Sequence, residues 1–263
     1  MVRMLKGSPS ILACAVALAL CPEAPAEPAV VGLARAYLGP QSTIDAIQSI
    51  HYVGTLERTD PGQKPAEAVR AGLDIVLAKP LRQHLVIRGP RATFTTVLDG
   101  YDAWDQQQDN QDASRVRTSW LSAGDIRTLR ANTWENLYYY RLPDGGRVED
   151  LGTATVDGIV CEHVTFTHDP GITYERYFDR DTGRLVLTVK GSQSFREVGE
   201  ILVDGIRFPK SIVTVTKAPS GGEVTATATF DTITLNEPVN PSLFATPNTA
   251  PRAAAAPSAT KGP

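Results

Sequence analysis

The strongest constraint on how this chain folds is a period-two alternation of apolar and polar residues that recurs along its middle. Leu73, Ile75 and Leu77 fall on one face of such a run. The runs are separated by turn signals, which include Asp-Gly pairs at positions 99–100, 144–145, 157–158 and 204–205. Alternation predicts strands with one buried face, and Asp-Gly favours hairpins because both turn residues adopt positive φ. The sequence therefore predicts an antiparallel sheet of about ten or eleven strands.

Helical spacing of apolar residues is confined to three short segments. It predicts a first helix between positions 30 and 38 and a second between 42 and 49. A third helix is predicted to begin at Ser122, whose hydroxyl can cap the backbone amide of Asp125. A long open sheet must curl or be covered. The predicted fold class is therefore mainly β with a few helices (α+β): a curled antiparallel sheet forming a half-barrel covered by a helical lid.

The first 26 residues contain the three parts of a secretory signal peptide in the order that export requires. Arg3 and Lys6 supply positive charge, the stretch from 11 to 20 is apolar, and small residues end at Ala26. This order predicts cleavage after Ala26 and a periplasmic or secreted protein.

Cys21 offers an alternative, a lipoprotein anchored at this cysteine. A small residue normally stands directly before a lipid-attachment cysteine, and Leu20 stands there in this chain. Cleavage after Ala26 is therefore favoured over acylation of Cys21. A helix needs about 20 apolar residues to span a bilayer, so the short stretch from 11 to 20 is not expected to cross a membrane.

The rest of the chain is predicted to form one domain, 27–245, followed by a tail, 246–263. The tail is rich in Pro and Ala and contains no large apolar residue, so we expect it to be disordered. The net charge is −3 with both signs interspersed, which lacks the basic patch that nucleic-acid binding requires. No nucleic-acid partner and no cofactor are predicted.

Catalysis is not predicted, because the common catalytic motifs are absent from the sequence. It has no Gly-x-Ser-x-Gly elbow, no Gly-x-x-x-x-Gly-Lys-[Ser/Thr] loop and no His-Glu-x-x-His. Cys161 and His163 are the best metal-ligand candidates, but zinc takes three or four ligands, so no metal site is predicted. Carboxylates that the fold brings together stay open as a hydrolase alternative.

Six short motifs follow one another between positions 44 and 244. They are Ile44-x-x-Ile47-x-Ser49-Ile50-x-x-x-Gly54-Thr55, Lys79-Pro80-x-Arg82, Asp99-Gly100-x-x-x-Trp104, Phe178-Asp179-x-x-Thr182-Gly183-x-Leu185, Val203-Asp204-Gly205-x-x-Phe208-Pro209 and Asn236-x-x-Val239-x-Pro241-x-Leu243-Phe244. Their order and spacing resemble those of the LolA/LolB-type lipoprotein carriers and their looser relatives, the outer-membrane lipoprotein-sorting proteins. The resemblance spans residues 31 to 246.

The resemblance implies a half-barrel with a helical lid and an apolar cavity that shelters lipoprotein acyl chains. In the carriers, an Arg before the Pro of the basic-Pro motif helps to hold the lid closed. Lys79 occupies that position here and is the lid-latch candidate, with a point charge in place of a planar fork. The candidates for lining the cavity are an apolar strand face and nearby aromatic residues: Leu73, Ile75, Leu77, Leu85, Phe94, Trp104 and Tyr138.

Three functions are compatible with the sequence. The favoured hypothesis is a periplasmic binding or carrier protein for a hydrophobic ligand, either lipoprotein acyl chains or another lipid, with an envelope protein as a candidate partner. The first alternative is a non-catalytic structural or interaction module of the envelope, and the second is an unrecognised hydrolase. A carrier predicts that the face of Leu73, Ile75 and Leu77 lines a cavity, whereas an interaction module predicts a filled core.

Overall fold

A computed structural model describes residues 27–64, 68–169, 171–219 and 221–247. The predicted signal peptide, 1–26, lies outside the described residues. So do all but the first two residues of the predicted tail, 246–263. Both assignments therefore stay predictions, as does the domain boundary at 245.

Within the described residues the chain forms three α-helices, thirteen strands and a short 3₁₀ helix at Pro241–Phe244. The helices are α1 (Ala29–Leu38), α2 (Gln41–Asp45) and α3 (Ala123–Tyr138). The strands are β1 (Ser49–Thr59), β2 (Val69–Ala78), β3 (Arg82–Arg88), β4 (Ala92–Asp99), β5 (Asp102–Asp109), β6 (Val116–Trp120), β7 (Arg147–Val156), β8 (Ile159–Asp169), β9 (Ile172–Asp179), β10 (Leu185–Lys190), β11 (Gln193–Val203), β12 (Ile206–Lys217) and β13 (Glu223–Leu235).

All thirteen strands belong to one antiparallel sheet in the order β6-β5-β4-β3-β2-β1-β13-β12-β11-β10-β9-β8-β7. We call β1 to β6 the N-terminal arm and β7 to β13 the C-terminal arm; β1 and β13 pair where the two arms meet. The mainly β, antiparallel prediction is confirmed. The predicted number of strands was too low. Strands such as β6, which is five residues long and mostly exposed, have no buried apolar face that would mark them.

The helices follow the predictions with one correction. α1 covers the predicted span, and Ser122 caps α3 by accepting a hydrogen bond from the Asp125 backbone amide at 3.2 Å. The second helix is shorter than predicted and ends at Asp45, because Ser49 already pairs with Ala78 of β2. Backbone pairing with a neighbouring strand overrides a local helical spacing that continues past this point.

The position of α3 follows from the topology. β6 and β7 are the two outer edges of the sheet and are joined in sequence by α3. A chain that leaves one edge and enters the other must cross a face of the curled sheet. Thr133 on α3 donates a hydrogen bond to Gln83 of β3 at 3.1 Å, and Glu135 contacts Arg176 of β9. α3 therefore bridges the concave face from one arm to the other.

The arms meet at a point that only glycine fits. The register of β1 against β13 shifts between Val53 and Gly54. A Cβ atom added to Gly54 would lie 2.0 Å from the carbonyl oxygen of Thr229 on β13. Glycine commonly marks such close approaches between strands. Gly54, part of the first motif in the sequence, therefore permits the arms to join.

Apolar side chains fill both faces of the sheet to different extents. On the concave face, α1 packs Val31 and Ala34 against Phe166 and Phe178 of the C-terminal arm. On the convex face, the 3₁₀ helix places Phe244 against the N-terminal arm. The described part of the chain contains no helix with the length and apolar character needed to cross a membrane.

Candidate functional site: the concave face of the sheet

The predicted apolar row of β2 lies on the concave face. Ile75 of β2 pairs with Leu85 of β3, and two residues earlier on β2 Leu73 pairs with Ile87 of β3. Ile87 in turn pairs with Phe94 of β4. Directly paired residues of adjacent antiparallel strands point to the same side of the sheet. The structure thus brings together all the predicted strand residues except Trp104.

The helix covers one end of this face and leaves the other end open. Leu98 is fully buried where Ile126 and Leu129 of α3 pack against it, and Leu77 is 2% exposed beside Leu137. Farther from α3 on the same strand as Leu98, Phe94 is 46% exposed. Along β4 the concave face is therefore packed under α3 and accessible at Phe94, whereas on β2 Leu73, in the same row as Phe94, is 4% exposed.

The predicted cavity residues divide between these two regions. Leu73 and Leu77 lie in the packed core, whereas Ile75 and Leu85 are only half-buried and Phe94 is exposed. A shallow depression of about 240 Å³ borders Phe94, and its other walls are polar: Thr95, Thr96, Asp105, Gln106, Gln107, Arg117 and Ser119. This volume is below the roughly 300–1,000 Å³ of a typical small-molecule pocket. A ligand would lie in it as in an open groove.

Trp104 does not belong to this surface. Its neighbour Ala103 pairs with Leu98 and faces the concave side, so Trp104 points to the convex side. There it packs against Val97 and against Phe244 of the 3₁₀ helix, with 7% of its surface exposed. The expectation that Trp104 lines a cavity mouth is wrong. Its position in β5 puts it on the opposite face from Phe94.

Lys79 and Tyr138 meet at the C-terminal end of α3. The Tyr138 hydroxyl donates a hydrogen bond to the Pro80 carbonyl at 2.8 Å, and the Lys79 ammonium lies 5.2 Å from the centre of the Tyr138 ring. Trp134 also stacks on that ring, with 4.0 Å between the ring centres. Burial lowers the pKa of Lys79, and the nearby Asp45 carboxylate opposes this effect. The β2–β3 turn therefore contacts the C-terminal end of α3.

The other side of α3 is polar, and the sequence analysis did not identify its contacts. Glu135 lies opposite Thr133 and Leu137 on the helix. Its carboxylate contacts both Arg176 on β9 and His168 on β8, and all three side chains are less than 10% exposed. One turn earlier on the same side of α3, Asn132 Oδ1 accepts a hydrogen bond from Lys190 Nζ at 2.9 Å and another from Tyr174. We call Asn132, Glu135, His168, Tyr174, Arg176 and Lys190 the polar cluster.

The sequence did contain one signal for this cluster. In β9 the buried positions alternate as Ile172, Tyr174, Arg176 and Phe178. An arginine within the buried face of a strand needs a counter-charge in the fold. Burial alone raises the pKa of Glu135, but the neighbouring Arg176 and His168 outweigh it and hold that pKa below its usual value.

Glu197 on β11 also belongs to the concave face, where it pairs with Ile212 of β12. Its side chain is solvent-exposed, yet it is set deep enough in the fold that desolvation raises its pKa to about 7. Glu197 lines a pocket of about 150 Å³ whose walls are both apolar and polar: Leu38, Leu185, Phe208 and Pro209, and Tyr37, Arg184, Glu200 and Arg207. Glu197 thus lies at a solvent-accessible pocket of the C-terminal arm.

α1 fixes the chain that follows α3 above this pocket. Arg35 donates hydrogen bonds from Nε to the Tyr139 carbonyl at 3.3 Å and from Nη2 to the Tyr140 carbonyl at 3.2 Å. Both tyrosines have positive φ, at 46° and 67°. The Tyr139 ring is held edge-on to Phe208, with 6.5 Å between their centres. Tyr139 is thereby placed over a residue of the pocket wall.

The metal-ligand candidates do not come together. Cys161 is fully buried, whereas His163 stacks on Tyr177 with 4.2 Å between ring centres. Across the residues that the structure describes, no three His, Cys, Asp or Glu side chains are grouped so that they could hold a metal ion.

Neither a protein-family model nor a curated protein matches the sequence. Solved structures do match the fold. A LolA superfamily protein from Nitrosomonas europaea aligns over 83% of this chain and 96% of its own, with a TM-score of 0.55 at 12% identity. A DUF1329 family protein from Desulfovibrio piger covers 82% of this chain and 96% of its own, with a TM-score of 0.54 at 14% identity.

A third match is an outer membrane lipoprotein-sorting protein domain from Vibrio parahaemolyticus. It covers 81% of this chain and 95% of its own, with a TM-score of 0.54 at 8% identity. Identities this low establish shared architecture rather than shared function. The chain therefore has the LolA-like fold that its motifs predicted.

Proposed function

We propose that this protein binds the acyl chain of a lipid or lipoprotein on the open end of its concave face and carries it within the cell envelope. The observation that carries the proposal is Phe94, a large apolar side chain that is 46% exposed on the concave face. Ile75 and Leu85 continue the same surface toward α3 and are half-buried. An exposed apolar surface inside a concavity is a common feature of ligand-binding sites.

The energetics favour a chain-like ligand. Burial of one methylene group contributes about 0.8 kcal/mol, so about ten methylenes provide about 8 kcal/mol before the entropy cost of binding. An extended chain can lie along the groove between Phe94 and the covered core, where a bulky ligand would stay mostly exposed. The LolA-like fold is consistent with this assignment, and one matching structure is described as a lipoprotein-sorting domain.

We further propose that the protein acts in the periplasm as a non-catalytic carrier. The predicted signal peptide supports export with cleavage after Ala26, and acylation of Cys21 is the alternative for its mature end. The only histidine of the polar cluster, His168, shares the Glu135 carboxylate with Arg176. Such a charge-paired carboxylate serves to hold α3 to the sheet. An envelope protein that delivers or receives the ligand is the proposed partner.

Lys79 has the proposed role of a latch that keeps the end of α3 over the concave face. A cation beside an aromatic ring contributes about 0.5–1 kcal/mol at an exposed site. Lys79→Glu replaces this attraction by a negative charge close to Asp45. We expect faster exchange of a fluorescent acyl probe in the variant, measured by stopped-flow. If the probe exchanges at the same rate in the variant, Lys79 is not a latch and α3 is held by its core contacts alone.

The main test is native mass spectrometry of the protein purified from its own periplasm, followed by lipid extraction. A stoichiometric acyl species is the expected result. In parallel, Phe94→Asp should weaken binding of a fluorescent fatty-acid probe by about tenfold or more, because it places a charge in the groove. The matched control is Leu202→Asp, since Leu202 is 68% exposed and its neighbour Val203, not Leu202, packs into the core. Equal affinities for the two variants, or an empty protein that binds no probe, would contradict the proposal.

A further inference from the structure

The two outer edges of the sheet differ in how they are protected from pairing with another strand. An edge strand presents unpaired backbone groups, and native proteins block them with bulges and charged residues. The β7 edge has both, since its register shifts between Asp150 and Thr153 and three of its first four residues are charged. β6 pairs one to one with β5 along its length, and its only charged residue is Arg117. The β6 edge is therefore regular and unprotected.

Alternate residues of β6 direct their backbone groups away from β5. The Leu121 amide donates a hydrogen bond to the Ala103 carbonyl of β5, and the bonding direction alternates along an antiparallel strand. The N–H and C=O groups of Thr118 and Trp120 and the C=O of Val116 therefore point outward. The Val116 N–H makes a hydrogen bond within the loop before β6. The open edge thus presents both donors and acceptors to a further strand.

Apolar side chains stay exposed at both ends of the same strand. Trp120 pairs with Trp104 and therefore lies with it on the convex side, where Trp120 is 57% exposed. Val116 has the same parity and is 45% exposed. Neighbouring exposed apolar residues on an unprotected edge indicate an interaction site.

We propose that β6 pairs antiparallel with β6 of a second copy of this chain, about a two-fold axis at Thr118. In this register Thr118 exchanges hydrogen bonds with Thr118 of the second copy, and the Val116 carbonyl accepts one from Trp120 of that copy. The pairing forms about four backbone hydrogen bonds. It also sets Val116 of each copy opposite Trp120 of the other, which is a favourable β-branched and aromatic pair. The proposal is independent of ligand binding.

Charge complementarity favours a second copy as the partner. On the concave side the register sets Arg117 opposite Ser119 of the second copy, and Ser119 pairs with Asp105 of its own β5. Arg117 and that Asp105 are two strand spacings apart, about 10 Å between backbones, and the small Ser119 leaves room for the long arginine side chain to cross. Among the residues that the structure describes, neither Arg117 nor Asp105 forms an ion pair. The two-fold axis supplies each with a counter-charge.

Other antiparallel registers fit less well. A shift by two residues in one direction sets Arg117 opposite Arg117 of the second copy, and like charges directly opposite are destabilising. The same shift in the other direction separates Val116 from Trp120. A shift by one residue sets the outward-pointing backbone groups against groups that already bond to β5. The register centred on Thr118 is the one that the backbone, the apolar pair and the charges all favour.

The sharpest variant is Thr118→Pro, because it removes an outward N–H and leaves the hydrogen bonds to β5 intact. Proline is tolerated on an edge strand where its nitrogen faces solvent. The matched control is Thr155→Pro on β7. Thr155 is exposed and pairs with Val160, whose carbonyl bonds to Arg180 on the side of β9, so the Thr155 N–H also points outward.

Sedimentation equilibrium of the mature protein measures the association. We expect a weak dimer with a Kd on the order of 10–100 µM, because a short strand pair buries less area than a standard interface. Thr118→Pro should raise this Kd more than about tenfold, whereas Thr155→Pro should leave it unchanged, with equal melting temperatures for the two variants. A dimer equally stable in both variants would place the contact elsewhere and overturn the proposal. A monomeric wild-type protein would also overturn it, and would leave β6 as an edge for a strand of a different protein.

A charge exchange tests the partner and the register together. Arg117→Glu and Asp105→Lys should each weaken the dimer about fivefold at low salt, because each sets like charges against one another. The double variant restores opposite charges across the two-fold axis and should recover most of the affinity. Additive losses in the double variant would exclude the pairing of Arg117 with Asp105 and overturn the register.

Discussion

The two arms of the sheet hold the same helix by different means. The N-terminal arm offers α3 an apolar surface, in which Leu98 and Ala103 pack against Ile126 and Leu129. The C-terminal arm holds the opposite side of α3 mainly through the charged contacts of Glu135. α3 bridges the concave face between the arms, so the side that carries Glu135 is buried, while Arg127 and Asn136 stay exposed. The difference teaches that an amphipathic helix need not lie at the surface.

Because the two arms contact α3 by different interactions, substitutions in the two sets of contacts should reduce stability in different ways. Apolar contacts lose stability in proportion to the volume removed and do not depend on pH. A buried ion pair contributes little compared with an apolar equivalent, but loss of one partner leaves an uncompensated charge. Substitutions on the two sides of α3 should therefore differ in magnitude and in their response to pH and to a second substitution.

The largest expected effect comes from breaking the ion pair of the C-terminal arm. Glu135→Ala leaves Arg176, 5% exposed, without its counter-charge. We expect a loss of about 3–5 kcal/mol in the free energy of unfolding, measured by urea denaturation at pH 7. The pKa of Glu135 is held low in the folded protein. Its contribution is therefore present above its unfolded pKa and is lost as pH falls through the folded pKa, so the two proteins should converge in acid.

A double-mutant cycle provides the control for this ion pair. Adding Arg176→Met to Glu135→Ala removes the stranded charge and should recover about 1–3 kcal/mol of the loss. Strict additivity of the two substitutions would mean that Glu135 and Arg176 do not interact energetically, and would remove the charged attachment from the comparison.

The second effect tests the apolar attachment of the N-terminal arm. Leu98→Ala removes a fully buried side chain that contacts α3 and should cost about 2–4 kcal/mol. This loss should be the same at pH 5 and pH 8 in urea denaturation. Leu151→Ala, at a side chain that is 54% exposed on edge strand β7, is the matched control and should change stability by less than about 0.5 kcal/mol. A pH-dependent loss at Leu98 would show that the arms are not as different as their contacts indicate.

Much of the fold was predictable because its local signals agree with its tertiary contacts. The alternation of Leu73, Ile75 and Leu77 predicted a concave apolar row, and Ser122 marked the start of α3. The number of strands was underestimated because edge strands such as β6 are solvated on both faces. For Trp104 the residue type suggested a cavity mouth, whereas parity along β5 determines its face. The face on which Trp104 lies follows from the register of β5 against β4. The sequence alone does not give this register.

The polar cluster was missed for a different reason. Glu135 lies on the polar side of an amphipathic helix, where sequence reasoning assumes solvent. His168 and Arg176 are 33 and 41 residues away along the chain, so no local spacing connects the three residues. Arg176 alone carried a signal, as a charged residue among buried positions of β9. Long-range charge pairing is therefore the part of the site that local pattern predicts least.

A smaller effect is expected at the start of α3, which both arms depend on. The Ser122 hydroxyl accepts a hydrogen bond from the Asp125 amide at 3.2 Å. Ser122→Ala should reduce the free energy of unfolding by about 1 kcal/mol, and Ser122→Thr should retain the cap, because its hydroxyl can also donate to the Asp125 carboxylate as that of Ser122 does. Hydrogen exchange of the first turn of α3 should accelerate in the alanine variant alone. Equal exchange in both variants would mean that the contacts of α3 with the arms, rather than its cap, determine the stability of this end.

The smallest effect distinguishes the arms by pH alone. Desolvation raises the pKa of Glu197 to about 7 in the folded protein, whereas its reference value is 4.5. Between pH 4.5 and about pH 7, Glu197 is deprotonated in the unfolded chain but still protonated in the folded one. The free energy of unfolding therefore falls as pH rises through this range and stays at the lower level above it. Glu197→Gln removes this loss. Because the side chain reaches solvent, we expect a gain of no more than about 1 kcal/mol at pH 8 and none at pH 4, measured by urea denaturation at both values. A gain of equal size at both pH values would place its origin in packing, and the C-terminal arm would then differ from the N-terminal arm only through Glu135 and its partners.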